Sequence, residues 1–466
     1  MKKLINWLIP IILGLAIWFV PTPEGLTPQS WHLFAIFVAT IAGFITQPLP
    51  IGGVSIIVIT VAALTGTLKI SEGLSGFSDT SIWLIVGAFL FSRGFIKTGL
   101  GKRIAYNLIS AFGSSSLRLA YALALSDLIL APATPSNTAR VGGVIMPITT
   151  SLAKAFGSEP QNGPRKIGSF LMQSIYQVNT VTSAMFQTSM AGNTLVAALA
   201  LQSFGIGITW GDWAMAAIVP GLIALLIMPY FIYKAYPPEI KDAREAQQMI
   251  RQELKELGSM SFQEWVMLGV FILALVLWAT SQFTQLHATV VAFIGISILL
   301  ATGVLIWDDV KSEKGAWDTL VWMGTLMAFA GFLSKLGFIK WATVLVGGYI
   351  PEGSWVIAFI VAVVVNTYAH YVFASLTAHI SAMFVAFSAI AISAGAPPML
   401  TLLMIAFTSN LCMSLTHYAA GPSPVIFNTG YVPQNTWWKL GFFTSVINLI
   451  IFIGIGSAWM KLIGMW

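Results

Sequence analysis

Two polar turns 239 positions apart interrupt an otherwise apolar chain, and they limit what it can fold into. The first runs Pro135-Ser136-Asn137-Thr138-Ala139-Arg140 and the second Ala374-Ser375-Leu376-Thr377-Ala378-His379. Ser136 aligns with Ser375, Thr138 with Thr377, Ala139 with Ala378 and Arg140 with His379. The same offset of 239 aligns Asp79-Thr80 with Asp318-Thr319, Trp83 with Trp322 and Asp127 with Asn366. A second, looser offset of 229 matches Ala191-Gly192 with Ala420-Gly421. The chain is therefore read as an internal duplication.

The surroundings of these turns are a membrane. Hydrophobic residues make up 57% of the 466 and charged residues 9%, against about 45–50% and about 25% in soluble domains. Apolar segments fall near 5–20, 31–48, 52–68, 81–98, 117–156, 168–205, 213–233, 262–281, 285–306, 318–345, 354–393, 398–418 and 438–464. Polar groups inside such segments have no water to bond with and usually mark a function. Paired interruptions in two halves point to a transporter's binding site. The net charge of +6 is scattered through loops, which suits loop retention on the cytoplasmic side and not a nucleic-acid surface. The single cysteine, Cys412, excludes an intramolecular disulfide and a multi-cysteine metal site. No cofactor is expected.

The divisions read as an extra N-terminal helix in 1–29, a first repeat in 30–235, a charged, largely helical connector in 236–263 and a second repeat in 264–466. Lys2 and Lys3 before an apolar stretch resemble a signal peptide, but Pro21-Thr22-Pro23-Glu24 follows it instead of a small-residue cleavage site. A first transmembrane helix with a cytoplasmic N-terminus is the expectation. If 117–156 and 354–393 are hairpins that enter and leave on one side, each half crosses the membrane five times. An odd number inverts the second half, and the C-terminus falls on the extracytoplasmic side. The two tips then approach the midplane from opposite faces.

Pro132 and Pro135 force a turn. Ser136 and Asn137 then cap the returning helix, whose free N–H groups and dipole form an anion site. Thr138 adds a hydroxyl; Ser375, Leu376 and Thr377 form the second tip. Arg140 and His379 are candidate charge-neutralising groups. Arg140 either grips a carboxylate or pairs with Asp127, which is itself read as a structural partner or a proton site. His370 and His417 are read as structural. The stretches Gly192-Asn193-Thr194 and Gly421-Pro422-Ser423 read as unwound helix middles lining the site. A small molecule with a carboxylate at each end suits two facing anion cradles.

The runs Ser126-Asp127-Leu128-Ile129-Leu130-Ala131-Pro132, Pro135 to Arg140 and Phe373 to Ala382 resemble the divalent anion:sodium symporter family over nearly the whole chain. They are most similar to its branch of citrate/succinate antiporters and chloroplast 2-oxoglutarate/malate translocators. The resemblance implies an all-α membrane protein with eleven transmembrane helices and two re-entrant hairpins. It also implies a homodimer, an elevator-type movement and substrate carboxylates bound at the tips. Sodium-coupled members carry Ser-Asn-Thr at both tips, whereas this chain has Leu376 at the second. The expectation is a sodium-independent exchanger of succinate, malate, 2-oxoglutarate or citrate against a counter-substrate. The alternative is a sodium- or proton-coupled symporter. A membrane-embedded enzyme would need a nucleophile–base pair, a carboxylate pair or a metal ligand set, and no such set stands at helical spacing.

Overall fold

The computed structural model describes residues 2–347 and 355–466, and its regular elements are helical. Polar residues set the helix starts. The Thr27 hydroxyl accepts from Ser30 N–H ahead of Pro28–Thr46, and the Asp79 carboxylate accepts from Ser81 N–H ahead of Thr80–Thr98. Thr209 with Asp212, and Ser261 with Glu264, form reciprocal caps on Trp210–Ala235 and Phe262–Ala279. Such caps satisfy N–H groups that lipid cannot.

Among the described residues ten helices are long and apolar enough to span a membrane. Three of these, Ser116–Ala133, Trp355–Val372 and Leu376–Ser393, are limbs of hairpins. The other seven, three shorter apolar helices and the broken helix from Gly168 to Phe204 make eleven crossings.

The hairpins enter from opposite ends. At the foot of the first, Ser116 N–H donates to Lys241 O, and the loop after its second limb gives Arg165 O and Lys166 O to the N–H groups of Glu239 and Ile240. Both feet thus stand where Trp210–Ala235 ends. The feet of the second hairpin stand together, since a Cβ on Gly395 would lie 3.9 Å from Trp355 Cβ. Trp355 packs on Trp466, and Trp459 Nε1 donates to Met215 O near the start of Trp210–Ala235. A 26-residue helix is about 39 Å long, so the two hairpins come in from the two ends of the bundle. This is the inverted arrangement.

The apolar run 81–98 forms Thr80–Thr98 intact and ends at Gly99, after which Leu100–Phe112 begins, whereas the run 318–345, read as one span, breaks at Gly337 between Lys314–Lys335 and Phe338–Gly347. Both glycines have positive φ (76° and 82°), which ends a helix without strain. Hydropathy does not register such a break. Leu100–Phe112 lies against the connector helix Arg244–Glu256: Gln247 donates to Ser110 O, and Arg103 pairs with Glu264 at 2.5 Å and donates to Gly258 O.

The centre of the bundle is Gly168–Met185, in which every residue is buried. Elsewhere the packing is tightest where backbone meets backbone. A Cβ on Gly76 would sit 2.0 Å from Gly324 O and 2.7 Å from Ala328 N. Gly76→Ala is therefore expected to lower the melting temperature of the detergent-solubilised protein. Overpacking of this kind costs about 1–3 kcal/mol; a melting curve superimposable on the parent's would contradict the contact.

Candidate functional site

Each tip is built by the same local chemistry. Ser136 Oγ accepts from Ala139 N–H at 3.1 Å, and Ser375 Oγ accepts from Ala378 N–H at 3.3 Å. Each serine thereby caps a helix whose N-terminus ends at the tip. Together the tips line a cavity of about 290 Å³. Ser136, Asn137 and Thr138 form one wall and Ser375, Leu376 and Thr377 the facing one, flanked by Pro135 and Ala374.

Between the two serine–threonine pairs the tips differ in one side chain, Asn137 against Leu376. Asn137 Oδ1 accepts from Thr138 N–H at 2.9 Å, and its Nδ2 contacts Met413 Sδ at 3.6 Å. Leu376 has no oxygen to offer Thr377 N–H, so the second tip keeps an additional backbone donor for a ligand. Among the described residues that line the cavity none is charged or titratable.

Each tip touches the break of the opposite half. A Cβ on Gly421 would lie 2.1 Å from Thr138 Oγ1, and one on Gly192 would lie 2.6 Å from Ile380 Cδ1. The cavity-facing residues of the breaks are Met190 and Ala191 in one half and Ala420 and Gly421 in the other. These pairs stand 230 apart, one more than the sequence offset of 229. Phe186 and Thr416, the extended residues that close the two preceding helical segments, share this offset.

Among the expected lining residues, Gly421 reaches the cavity and the others bond within the bundle. Gly192 N–H points to Met190 Sδ, Asn193 Nδ2 donates to Ser183 O and Phe186 O, and Thr194 Oγ1 donates to Gln187 O. Pro422 begins a short helix, and Ser423 Oγ bonds Tyr176 Oη. Gln47 and Phe89 join the lining from distant helices. No local pattern marks either of them.

The two expected cations stand behind the tips and not in the cavity lining: Arg140 takes the second of its two readings, the pair with Asp127, and His379 faces Asn366. Arg140 Nε pairs with Asp127 at 2.9 Å, both fully buried. Its Nη1 donates to Thr134 O and Ser189 O, and its Nη2 to the hydroxyls of Thr182 and Ser183. Asp127 also accepts from Asn179 and from the Thr182 hydroxyl. Neither group turns to the cavity; the pair fastens the first tip to the first broken helix, and a carboxylate so saturated is structural. In the second half His379 Nε2 meets Asn366 Oδ1 at 3.2 Å, and Asn366 Nδ2 donates to Ser409 Oγ. The same pairing thus recurs across thirteen residues in both halves, once ionic and once neutral. His370 lies beside His379, their rings 4.9 Å apart, and His417 accepts from Trp438 Nε1.

With this geometry known, the comparisons are consistent. The family described as the sodium:sulfate symporter transmembrane region matches residues 1–466. The putative malate transporter YflS of Bacillus subtilis is 52% identical over 465 residues, covering 100% of this chain and 97% of that protein. The chloroplastic dicarboxylate transporter 1 of Spinacia oleracea is 45% identical, covering 98% of this chain and 81% of its own length. The inner membrane protein YbhI of Escherichia coli is 39% identical, covering 100% and 98%. Among solved structures, the YdaH transporter of Alcanivorax borkumensis, reported with an unusual topology, superimposes with a TM-score of 0.54 at 11% identity. It covers 99% of this chain and 97% of that one, a likeness of fold.

Breaking a buried ion pair by removing one partner costs about 3–5 kcal/mol. Arg140→Gln alone should therefore lose most of the monodisperse, folded protein on size-exclusion chromatography. Asp127→Asn combined with Arg140→Gln should recover part of it, because no uncompensated charge remains. Equal yields of the single and double variants would contradict the structural role of the pair.

Proposed function

The chain belongs to the sodium:sulfate symporter transmembrane family, and from that premise we propose that it exchanges dicarboxylates across the membrane without coupling to sodium. The observation that carries this reading is the cavity itself: two helix N-termini face each other across it with serine, threonine and asparagine side chains and, among the described lining residues, no ionisable group. Each helix N-terminus presents roughly half a positive charge and free N–H donors. One carboxylate at each end of a small molecule matches that pair, and the names of the malate and dicarboxylate transporters among the relatives support the same class. Malate, succinate and 2-oxoglutarate fit the description, with citrate as a larger candidate.

Leu376 supports sodium independence. At the second tip it replaces an amide oxygen with an alkyl group inside the cavity wall, and alkyl groups do not ligate hard cations. Asn137 Oδ1, the corresponding oxygen of the first tip, already accepts from Thr138 N–H. A titratable side chain for proton coupling is lacking among the described lining residues. Obligatory exchange follows from desolvation. An empty cavity carries unpaired donors that would have to cross an apolar environment, whereas a bound dicarboxylate satisfies them.

Movement of the site as one body accounts for alternating access. Asn410 Nδ2 donates to Asn193 Oδ1 at 2.7 Å, Tyr176 Oη bonds Ser423 Oγ at 2.7 Å, and Tyr431 Oη donates to Ser158 O. These bonds tie the two broken helices to each other and to the loop of the first hairpin, and Asn366 Nδ2 on Ser409 Oγ ties in the second hairpin, as an elevator-type transport domain requires. The remaining helices would serve as the scaffold and the homodimer contact, in a cell membrane with the N-terminus inside.

Counterflow in liposomes tests the reading. Labelled malate should enter vesicles preloaded with unlabelled dicarboxylate and not empty ones, at the same rate in sodium and in choline. Sodium-driven uptake into empty vesicles would overturn exchange. Thr138→Ala and Thr377→Ala should each raise the half-saturating concentration about ten- to a hundred-fold, since a hydrogen bond to a charged group contributes about 1.5–3 kcal/mol. Unchanged half-saturation in both would remove the tips from the binding site.

A further inference from the structure

We propose that His370, His379 and Cys412 form a binding site for a soft monovalent cation of the copper(I) class, one layer behind the second tip. All three are fully buried, and a ring nitrogen of each histidine and the Cys412 Sγ lie within 4.8 Å of one another. The tautomers are set for coordination. His370 Nε2 faces Ala419 O at 2.9 Å and His379 Nε2 faces Asn366 Oδ1, so each Nε2 carries the proton. Each Nδ1 then holds a lone pair, and neither Nδ1 has a hydrogen-bond partner. A carbonyl on the far nitrogen is the usual support of a metal-ligating histidine.

The first half indicates what belongs there. Stepping back by the structural offsets, His379 corresponds to Arg140 and Cys412 to Thr182, whose hydroxyl accepts from the Arg140 guanidinium. The first half therefore fills this place with a cation. In the second half a shorter imidazole stands opposite a thiol, and the cationic head is missing. Charge balance selects the ion. Asp127 neutralises Arg140, but its counterpart Asn366 is neutral. On binding, the Cys412 thiol, now directed at Ser409 O, loses its proton to water and a sulfur–metal bond forms. A thiolate with a monovalent ion is neutral, whereas a divalent ion would leave a buried positive charge. Thiolate and imidazole ligands suit copper(I). Ligands about 2.0–2.3 Å from a metal lie roughly 3.5 Å apart, so the three groups need to close by about an ångström.

Such an ion would join both limbs of the second hairpin to the second broken helix. The test is titration of the full-length protein in nanodiscs with chelator-buffered copper(I) under anaerobic conditions, followed by metal content and melting temperature. One ion per protomer is expected, with a rise in melting temperature. Because Cys412 is the sole cysteine, Cys412→Ala should abolish binding. His370→Gln, which keeps the thiol, should weaken it at least tenfold, and metal-edge X-ray absorption should show one sulfur and two nitrogen neighbours in the parent. Absence of stoichiometric binding, binding that survives Cys412→Ala, or parental affinity in His370→Gln would each overturn the site. Cys412→Ser offers a second thiol-free variant should the alanine variant aggregate. These readouts are independent of transport.

Discussion

The buried Arg140–Asp127 pair determines how the first half of the site is assembled. A guanidinium in a low-dielectric interior needs a counter-charge and acceptors for its five N–H donors. Asp127, two backbone carbonyls and two hydroxyls supply them. Those acceptors come from the ascending limb of the hairpin, from the tip and from the broken helix. Three separate elements are thereby held in one arrangement, and Ser136 to Thr138 take their places on the cavity wall as a result. The backbone that carries the tip residues is thus fixed by a charge that they do not touch.

The second half solves the same problem without charge. His379 to Asn366 and Asn366 to Ser409 trace the route that Arg140 to Asp127 and Asn179 to Asp127 trace in the first. A neutral pair is less costly to bury and less strongly locked. Inverted repeats let each half expose the site to one side of the membrane. The two hairpins are thus held by unlike contacts, one ionic and one neutral, and the neutral one carries the tip in which the Thr377 amide has no side-chain acceptor beside it.

Much of this was legible in the chain. The offset of 239, the prolines at the first tip and the repeated Ser-x-Thr spacing located both tips, because caps and turns are local chemistry. The crossings followed from apolar runs. What sequence did not show depended on direction in space. Arg140 and His379 follow the tip residues closely, yet the helix turns them away from the cavity and into the bundle. Gly192, Asn193 and Thr194 look like an unwound lining, but they lie inside the helix Ala191–Phe204; the break precedes it at 186–190 and brings Met190 and Ala191 to the wall. Gln47 and Phe89 reach it from other helices, and nothing in their neighbours announces this. The break at Gly337 lies within the apolar run 318–345, where hydropathy is blind to a change of φ.

The contrast between the tips also bears on selectivity. At the first, the Asn137 carbonyl satisfies one backbone donor internally, leaving an amide NH₂ directed at Met413 and fewer donors for an anion. At the second, Leu376 gives up that internal bond, and the donor it releases is a backbone N–H at the positive end of a helix. A carboxylate there gains a charge-assisted hydrogen bond, which is stronger than a neutral one. The Asn137–Leu376 difference therefore removes a cation-binding oxygen and adds an anion-binding N–H with a single change of side chain. Both consequences support the exchange reading proposed above, in which the cargo's charge is balanced by helix ends, since the described lining residues include no ionisable side chain.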